Sequence, residues 1–405
     1  MRKTAKLLYI ILVAMLTLGM ALLCVGCDEK EGGNVDDEDE KETVKLTISG
    51  NDISLYSIVY ARSDYSSEEI AHIYTEYDFY RLTAEDIQAR IYDLTGVTLP
   101  TSRDSDTKKG KYEILVGPTN RTESSVYTDA LGVYEYINRV KNAKLTIGGG
   151  YNSTPLVNGL KKSYSWASTY HAFEYVARYV YKQMINGAKE IDLEEGFTQS
   201  GTVELTTVAC IGDSITEGFA SSNWDVCSYP AAMQRVLWKD YVVLNYGASA
   251  RTMRSDLYDH YVNTDYYKAA VEHAENFDIA LIMLGTNDSD RDSSFDFNDD
   301  KVYNDSALDI AFALSNKRDM LEFVIMNCPA YYGNGTSGSE HVRALQSQLP
   351  ALFEENGYIC HFFDMHAFTD EALTSAHFPD SLHPDDVGYH LMGVKLAEVI
   401  SELVK

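Results

Sequence analysis

From about residue 203 onward, short apolar runs alternate with segments of helical periodicity. The runs are TTVACI (206–211), YVVLNY (241–246), DIALIMLG (278–285), EFVIMNC (322–328) and YICHFFDM (358–365). Continuous apolar strands separated by helices are typical of a parallel sheet covered on both faces. The last segment, VGYHLMGVKLAEVISELV (387–404), has the pattern of a closing helix. We therefore predict a doubly wound α/β domain over residues 201–405, whose cleft lies at the carboxyl ends of its strands.

The pattern between residues 44 and 200 predicts a smaller α+β domain. VKLTIS (44–49), YEILVG (112–117) and AKLTIGG (143–149) have the character of strands. Apolar residues spaced three and four apart predict a long, interrupted helix that ends before Gly96. These residues are Ile70, Ile73, Tyr77, Tyr80, Ala84, Ile87, Ile91 and Leu94. A second amphipathic helix is predicted by Phe173, Val176, Val180 and Met184. Tyrosines and Trp166 could form a sugar platform here, although such residues more often build a core.

The amino-terminal residues have the outline of a secretion signal, with a basic start followed by an apolar stretch over residues 7–26. The stretch ends in CVGC, which resembles a bacterial lipobox with Cys27 as the lipidated residue, although Cys24 stands where that motif usually has Leu. We predict a lipoprotein-type signal segment over residues 1–27, an acidic tether over 28–43, and lipid anchoring at the cell surface or in the periplasm. An uncleaved signal anchor and simple secretion remain alternatives.

Charge and composition restrict the class of protein. The chain is 45% apolar and 23% charged, as a folded protein is, and its formal net charge is −27. A polyanion of this size repels nucleic acid, so we expect no nucleic-acid partner. No cofactor or metal site is expected: the acidic segment 288–300 echoes a calcium loop, but Ser293 stands where that loop needs Gly. Four cysteines are expected to be small buried side chains, with disulfide pairing left open: Cys210, Cys227, Cys328 and Cys360.

Polar residues follow four of the predicted strands where those strands end. GDSITEG places Ser214 after the first strand, and NYGASA places Gly247 after the second. GTND places Asn287 after the third, and FPDSLHP (378–384) after the last strand contributes Asp380 and His383. The carboxyl ends of parallel strands meet at one edge of the sheet, so these residues should converge on one crevice.

This set of residue types is what acyl transfer requires. A serine hydroxyl is a poor nucleophile without an adjacent base, and His383 can accept its proton while Asp380 orients the imidazole. A tetrahedral oxyanion needs preset donors, for which the backbone N–H groups of Ser214 and Gly247 and the side-chain amide of Asn287 are the candidates. Considered alone, Ser214 could equally be a helix N-cap, as could Thr216. The three partner motifs favour the role of nucleophile.

GDSITEG, NYGASA, GTND and DSLHP resemble, in order, the four sequence blocks of the SGNH (GDSL-type) hydrolase family. The resemblance covers residues 203–405 and implies a flavodoxin-like three-layer α/β/α sheet, with the residues above as catalytic triad and oxyanion hole. The sequence departs from the family at Ala250, where glycine is frequent. No G-x-S-x-G elbow is present, which disfavours the ordinary α/β-hydrolase fold.

The resemblance also suggests a substrate class. The second half looks most like secreted bacterial members that deacetylate glycans, and the first half weakly resembles accessory domains of polysaccharide-degrading enzymes. We therefore expect a serine esterase acting on O-acetyl esters of an oligo- or polysaccharide. A GDSL-type lipase, lysophospholipase or thioesterase is the first alternative. A glycan-binding surface lipoprotein with an inactive esterase half is an alternative of another class.

Overall fold

The computed structural model describes residues 43–62, 78–124, 131–150, 152–153, 163–164, 166–291, 297–318, 320–330 and 337–404. The predicted signal segment with Cys27, the tether and the first positions of the predicted long helix lie outside these residues. Part of the acidic segment 288–300 also lies outside them. Thr43–Lys405 pack as one compact unit. Among the described residues, no helix is both long enough and apolar enough to cross a membrane.

The first half of this unit contains small mixed sheets and two long helices. Its strands are β1 (Lys45–Ile48), β2 (Asn51–Asp52), β3 (Ser57–Tyr60), β4 (Thr101–Arg103), β5 (Glu113–Val116), β6 (Glu135–Lys141), β7 (Lys144–Gly149), β8 (Asn152–Ser153), β9 (Ser163–Tyr164), β10 (Glu190–Leu193) and β11 (Thr198–Thr202). Its helices are α1 (Phe79–Thr95) and α2 (Ala167–Ile185), with a 3-10 turn at Ile53–Leu55. The six-stranded sheet has the order β11-β6-β7-β5-β3-β4, and the three-stranded sheet the order β10-β1-β2.

Local sequence accounts for α1. The Asp78 side chain caps its start by accepting a hydrogen bond from the Arg81 backbone N–H, and Gly96 ends it in the left-handed conformation at φ 74°. The predicted apolar stripe is its buried face wherever the structure describes it.

Trp166 is only 1% exposed and stacks on Phe79 at a centroid distance of 4.1 Å. Trp166 therefore belongs to the core, and the idea that it forms a sugar platform is wrong.

The second half is an α/β unit. Its strands are β12 (Thr206–Gly212), β13 (Tyr241–Gly247), β14 (Ile279–Met283), β15 (Glu322–Met326) and β16 (Ile359–Phe363). Its helices are α3 (Ser214–Glu217), α4 (Trp224–Cys227), α5 (Tyr229–Val236), α6 (Asp265–His273), α7 (Thr286–Arg291), α8 (Phe297–Ser315), α9 (Ser337–Glu355), α10 (Met365–Ala372) and α11 (Asp386–Leu403). Short 3-10 turns lie at Tyr261–Asn263, Ala274–Asn276 and Ser375–His377.

All five strands of this half are parallel, in the order β13-β12-β14-β15-β16. This is the flavodoxin-like order, and the predicted fold class is confirmed. Alternate residues of β12 enter opposite faces: Val208 and Cys210 pack with α5 and α11, whereas Ala209 and Ile211 pack into the other core. The order reverses at β12, so the ends of β12, β13 and β14 line the crevice where ligands bind in such sheets.

The first half packs against the opposite, amino-terminal ends of these strands. Tyr134 Oη and Thr207 Oγ1, near the start of β12, are 2.8 Å apart. Trp238, just before β13, packs at 5.2 Å from Phe79 and 5.4 Å from Tyr170 between ring centroids. These contacts lie at the end of the sheet opposite Ser214. The domain boundary near residue 200 stays a prediction.

Candidate active site

Ser214 is the first residue of α3, immediately after the central strand β12. Asp213, not Ser214 or Thr216, caps the helix, because its Oδ1 accepts a hydrogen bond from the Ile215 N–H at 3.0 Å. The turn is tight: a Cβ at Gly212 would lie 2.0 Å from Thr216 Oγ1, so only glycine fits there. The N-cap alternative for Ser214 is therefore wrong, and its hydroxyl has another partner.

That partner is His383. Ser214 Oγ and His383 Nε2 are 2.8 Å apart, and the other ring nitrogen, Nδ1, lies 2.6 Å from Asp380 Oδ2. Ser214 and His383 are 7% and 9% exposed, whereas the Asp380 side chain is 42% exposed. The structure brings together the three predicted side chains from positions 169 residues apart in the chain. In this geometry Nδ1–H donates to the carboxylate and Nε2 is free to accept the serine proton.

A short turn between Asp380 and His383 fixes their relative orientation. Asp380 Oδ1 accepts hydrogen bonds from the backbone N–H groups of Leu382 at 3.0 Å and His383 at 2.7 Å. Ser381 takes a left-handed φ of 69° to close this turn. Burial works to raise the pKa of Asp380, but the hydrogen bonds from His383 and Leu382 outweigh it and the pKa is lowered. Asp380 is thus held as a carboxylate that can orient and stabilise a histidine cation.

Asn287 lies in the first turn of α7, at the end of β14. Its side-chain Nδ2 donates to the Arg251 carbonyl at 3.0 Å and to Asp213 Oδ2 at 3.4 Å. The Asp213 contact joins the end of β14 to the turn that carries Ser214. At 3.4 Å it is a weak hydrogen bond, whereas the contact with the Arg251 carbonyl is of ordinary length.

Gly247 lies at the end of β13, as predicted, but its backbone N–H is not available as predicted. Its N–H donates to the Asn245 side chain at 2.9 Å, and so already has a partner. A Cβ at this position would lie 2.2 Å from the Glu217 backbone nitrogen, so Gly247 permits close packing of β13 against α3. The structure therefore supports a packing role for Gly247 and gives its N–H no free direction toward an oxyanion.

Ala250, three residues later, has the properties that Gly247 lacks. Its φ is 61°, and among the described residues its N–H has no hydrogen-bond partner. The Ser249 N–H donates to Glu217 at 2.8 Å, and the Arg251 carbonyl accepts from Asn287 at 3.0 Å. Ala250 is thus held between α3 and Asn287. The sequence did contain a sign of this backbone conformation. Ala250 stands where the family frequently has glycine, and a position that favours glycine indicates a positive φ.

Two carboxyl groups are buried behind the site. Burial raises the pKa of Asp213 to about 7 and that of Asp288 to about 6. Asp288 accepts hydrogen bonds from the N–H groups of Met253 at 2.9 Å and Arg254 at 3.0 Å, and so ties the loop after β13 to α7. Sequence reasoning grouped Asp288 with a possible calcium loop, but the structure gives this carboxylate a backbone-anchoring role.

The remaining candidates are the four cysteines and a possible metal site. Cys210, Cys227, Cys328 and Cys360 are free thiols, and burial raises the pKa of each. Cys328 accepts a hydrogen bond from Thr286 Oγ1 at 3.0 Å beneath the site. Within the described ranges, no group of three or more acidic, histidine or cysteine side chains is arranged to hold a metal ion.

Residues 210–391 match the model of the GDSL-like lipase/acylhydrolase family. The match includes each of the four motifs and ends within α11. Over these residues the chain is similar to the GDSL-like lipase/acylhydrolase family, and the resemblance drawn from the motifs is confirmed.

An acetylxylan esterase of Xylanibacter ruminicola is 45% identical to the chain over 82 residues, which is 20% of this chain and 17% of that esterase. The chain thus spans about a sixth of the length of this curated relative. Among solved structures, a carbohydrate acetylesterase family member of Sinorhizobium meliloti aligns with 22% identity and a TM-score of 0.39, over 49% of this chain and 99% of that one. A family two carbohydrate esterase of Clostridium thermocellum, in complex with cellohexaose, aligns with 16% identity and a TM-score of 0.39, over 52% and 69%.

Proposed function

We propose that this protein is a serine esterase that hydrolyses O-acetyl esters on carbohydrates through an acyl-enzyme. The observation that carries the proposal is the chain of contacts Ser214 Oγ to His383 Nε2 at 2.8 Å and His383 Nδ1 to Asp380 Oδ2 at 2.6 Å. A hydroxyl, a neutral imidazole and a carboxylate in this order are the parts of a nucleophile activated by a base. The family match over residues 210–391 supports acyl hydrolysis in particular.

These contacts support the following mechanism. Ser214 Oγ attacks the ester carbonyl carbon while His383 Nε2 takes its proton, and the Asp380 carboxylate stabilises the imidazolium. Collapse of the tetrahedral intermediate breaks the bond to the sugar oxygen, which receives the proton from His383. A water molecule, deprotonated by the same imidazole, then attacks the acetyl-serine and releases acetate. These steps need no cofactor.

The oxyanion of this intermediate would be stabilised from three elements. Ser214 contributes the N–H at the start of α3, and Asn287 contributes its amide from α7. For the third donor we propose the N–H of Ala250 in place of that of Gly247, since Gly247 already donates to Asn245. Preset donors of this kind stabilise the transition state because their hydrogen bonds strengthen as charge develops on the oxygen.

The proposed substrate class, an acetylated carbohydrate, rests on similarity to a known esterase. The 45% identical segment belongs to an acetylxylan esterase, which supports an acetylated polysaccharide of the xylan kind. A lipase, lysophospholipase or thioesterase would use the same triad on longer acyl chains. A glycan-binding lipoprotein with an inactive esterase half is disfavoured by the intact contacts among Ser214, His383 and Asp380.

The test is a hydrolysis screen with purified protein. We expect release of acetate from acetylated xylan and from small acetyl esters, with turnover falling as the acyl chain lengthens. Ser214→Ala should abolish turnover, and a fluorophosphonate probe should label the wild type on Ser214 alone. Preference for octanoyl over acetyl esters would favour the lipase alternative, and a folded wild type without any turnover would support the inactive one.

For localisation we propose a lipid anchor on Cys27 at a bacterial cell surface or in the periplasm. The proposal rests on the lipobox-like CVGC and the acidic residues that follow it. Intact-mass analysis of the membrane fraction should give a mature chain that begins at lipidated Cys27. Detection of an uncleaved Met1, or unchanged processing in Cys27→Ser, would contradict this.

A further inference from the structure

The segment from the end of α3 to the first residue of α4, here called the aromatic loop, exposes two aromatic side chains beside His383. Phe219 and Trp224 are each 39% exposed, and their ring centroids are 5.6 Å apart. The centroid of the Phe219 ring lies 4.7 Å from that of His383. Exposed aromatic surface next to a reactive group commonly marks a binding site. This pair is continuous with the Ser214–His383 site.

Hydrogen bonds to α11 hold this aromatic loop in place. Tyr389 Oη donates to the Phe219 carbonyl at 2.8 Å. The backbone N–H and hydroxyl of Ser222 donate to the Asp386 carboxylate at 2.7 and 2.6 Å. Because α11 begins three residues after His383, one helix positions both the base and the aromatic loop. The rings are therefore preorganised relative to the reacting atoms, which lowers the entropy cost of binding.

The surroundings of the loop are acidic. Asp225 follows Trp224 directly, Asp386 bonds the loop, and Asp380 is exposed beside His383. The cationic group of Arg251, on the neighbouring loop, lies 3.8 Å from the Asp259 carboxylate. Carboxylates this near to the rings oppose anionic ligands.

We propose that Phe219 and Trp224 form a stacking platform for an uncharged sugar ring that carries the acetyl ester. The proposal rests on the proposed carbohydrate esterase function and adds the element that selects the sugar. A pyranose ring presents C–H groups on its faces, which pack on aromatic rings while its hydroxyl groups stay in water. A ring seated there would present its ester within reach of Ser214, and a uronic acid would be repelled.

The experiment compares two substrates and four proteins. The substrates are an acetylated xylo-oligosaccharide and ethyl acetate, which has no ring to stack. The proteins are the wild type, Trp224→Ala, Trp224→Phe and the control Phe312→Ala. We expect Trp224→Ala to lower kcat/KM for the oligosaccharide about 5- to 10-fold, mainly through KM, and to leave ethyl acetate unchanged. Trp224→Phe should restore most of the loss, since it keeps an aromatic face.

Phe312 is a matched control because it is an exposed aromatic at the other end of the sheet. It is 61% exposed and lies near the carboxyl end of α8. Arg318, shortly after it, bonds the Glu275 carbonyl and Asp278, which precedes β14. Phe312→Ala should change neither substrate's kinetics. A melting temperature on each preparation checks that the variants are folded.

The outcomes separate this inference from the function on which it rests. A wild type that hydrolyses neither substrate refutes the esterase proposal and the platform with it. Turnover of ethyl acetate without turnover of the oligosaccharide overturns the platform and the carbohydrate substrate, and leaves only a serine esterase of other specificity. Equal losses on both substrates in a folded Trp224→Ala protein, or no loss on either, also overturn it.

Charge selection has its own measurement. The wild type should hydrolyse an acetylated oligogalacturonate at least about 10-fold less efficiently than the xylo-oligosaccharide at low salt, and added NaCl should narrow the gap by screening repulsion. Equal rates on both that do not respond to salt would overturn the preference for an uncharged ring.

Discussion

The amide of Asn287 is the side chain whose loss best tests the oxyanion site. Asn287→Ala should lower kcat by about 10²–10³, or roughly 3–4 kcal/mol of transition-state stabilisation, with little change in KM. The reason is that its N–H donates more strongly to an oxyanion than to a ground-state carbonyl. Steady-state kinetics on an acetyl ester measure this.

Ser289→Ala is the matched control for Asn287→Ala, because the Ser289 hydroxyl donates to the Thr286 carbonyl within the same helix, at 2.7 Å. It should leave kcat unchanged. A folded Asn287→Ala protein with nearly wild-type kcat would remove Asn287 from the oxyanion site. Since its amide also bonds the Arg251 carbonyl, the melting temperature of each variant is needed to separate turnover from stability.

The buried Asp213 carboxyl gives a second prediction, for stability against pH. Burial raises its pKa to about 7, above the value of about 3.9 in an unfolded chain, so the folded state binds more protons between these values. The contribution of Asp213 to the free energy of unfolding therefore declines as pH rises from about 4 to about 7. Melting temperatures of the wild type and Asp213→Asn across this range should show a shallower decline in the variant. Parallel curves would contradict the shifted pKa.

At the scale of elements, the loop after β13 carries the third prediction. Ala250 has a φ of 61°, where an alanine costs roughly 1–2 kcal/mol relative to glycine. Ala250→Gly should keep turnover near that of the wild type, because the backbone N–H remains and the strain is relieved. Ala250→Val should lower both kcat and melting temperature, since a β-branched residue disfavours this conformation more strongly. Kinetics and thermal melting of the two variants measure the difference.

A fall in kcat for Ala250→Gly as deep as that for Ala250→Val would show that the methyl group, not the backbone, matters. Gly247→Ala is the useful comparison, because its Cβ would meet the Glu217 nitrogen at 2.2 Å. That variant should lose stability through a clash between β13 and α3.

The elements of the second half were predictable because their signal is local. The five strands are continuous apolar runs, and Ser214 and Asn287 directly follow the ends of β12 and β14. Asp380 and His383 were found from their motif and not from a strand end, because helix α10 lies between β16 and the turn that carries them. The error at Gly247 arose because which backbone N–H is free depends on a contact, here the Asn245 side chain. Asp288 was missed for the same reason, since its role is set by Met253 and Arg254 from another loop.

The first half shows the same limit on a larger scale. Its helices followed from spacing, but Trp166 could be assigned to core or surface only once Phe79 was seen stacked on it at 4.1 Å. The parallel pairing of β1 with β10, some 145 residues apart in sequence, leaves no trace in local pattern. Long-range pairing of this kind is decided by packing rather than by propensity.

At the scale of the whole molecule, Trp238 joins the two halves at the end of the sheet opposite Ser214. It is 9% exposed and packs on Phe79 and Tyr170, while the neighbouring Lys239 bonds Asp86 at 3.1 Å. Trp238→Ala should lower the free energy of unfolding by about 3–5 kcal/mol, as the loss of a large buried side chain does. Because these contacts lie at the amino ends of the strands, kcat/KM for a small acetyl ester should stay within about twofold of the wild type at temperatures where both are folded. Thermal melting and kinetics on the same preparations measure the two effects.

A loss of kcat/KM in the folded Trp238→Ala protein comparable to that of Asn287→Ala would mean that the first half shapes the active site. The catalytic role would then no longer belong to residues 201–405 alone.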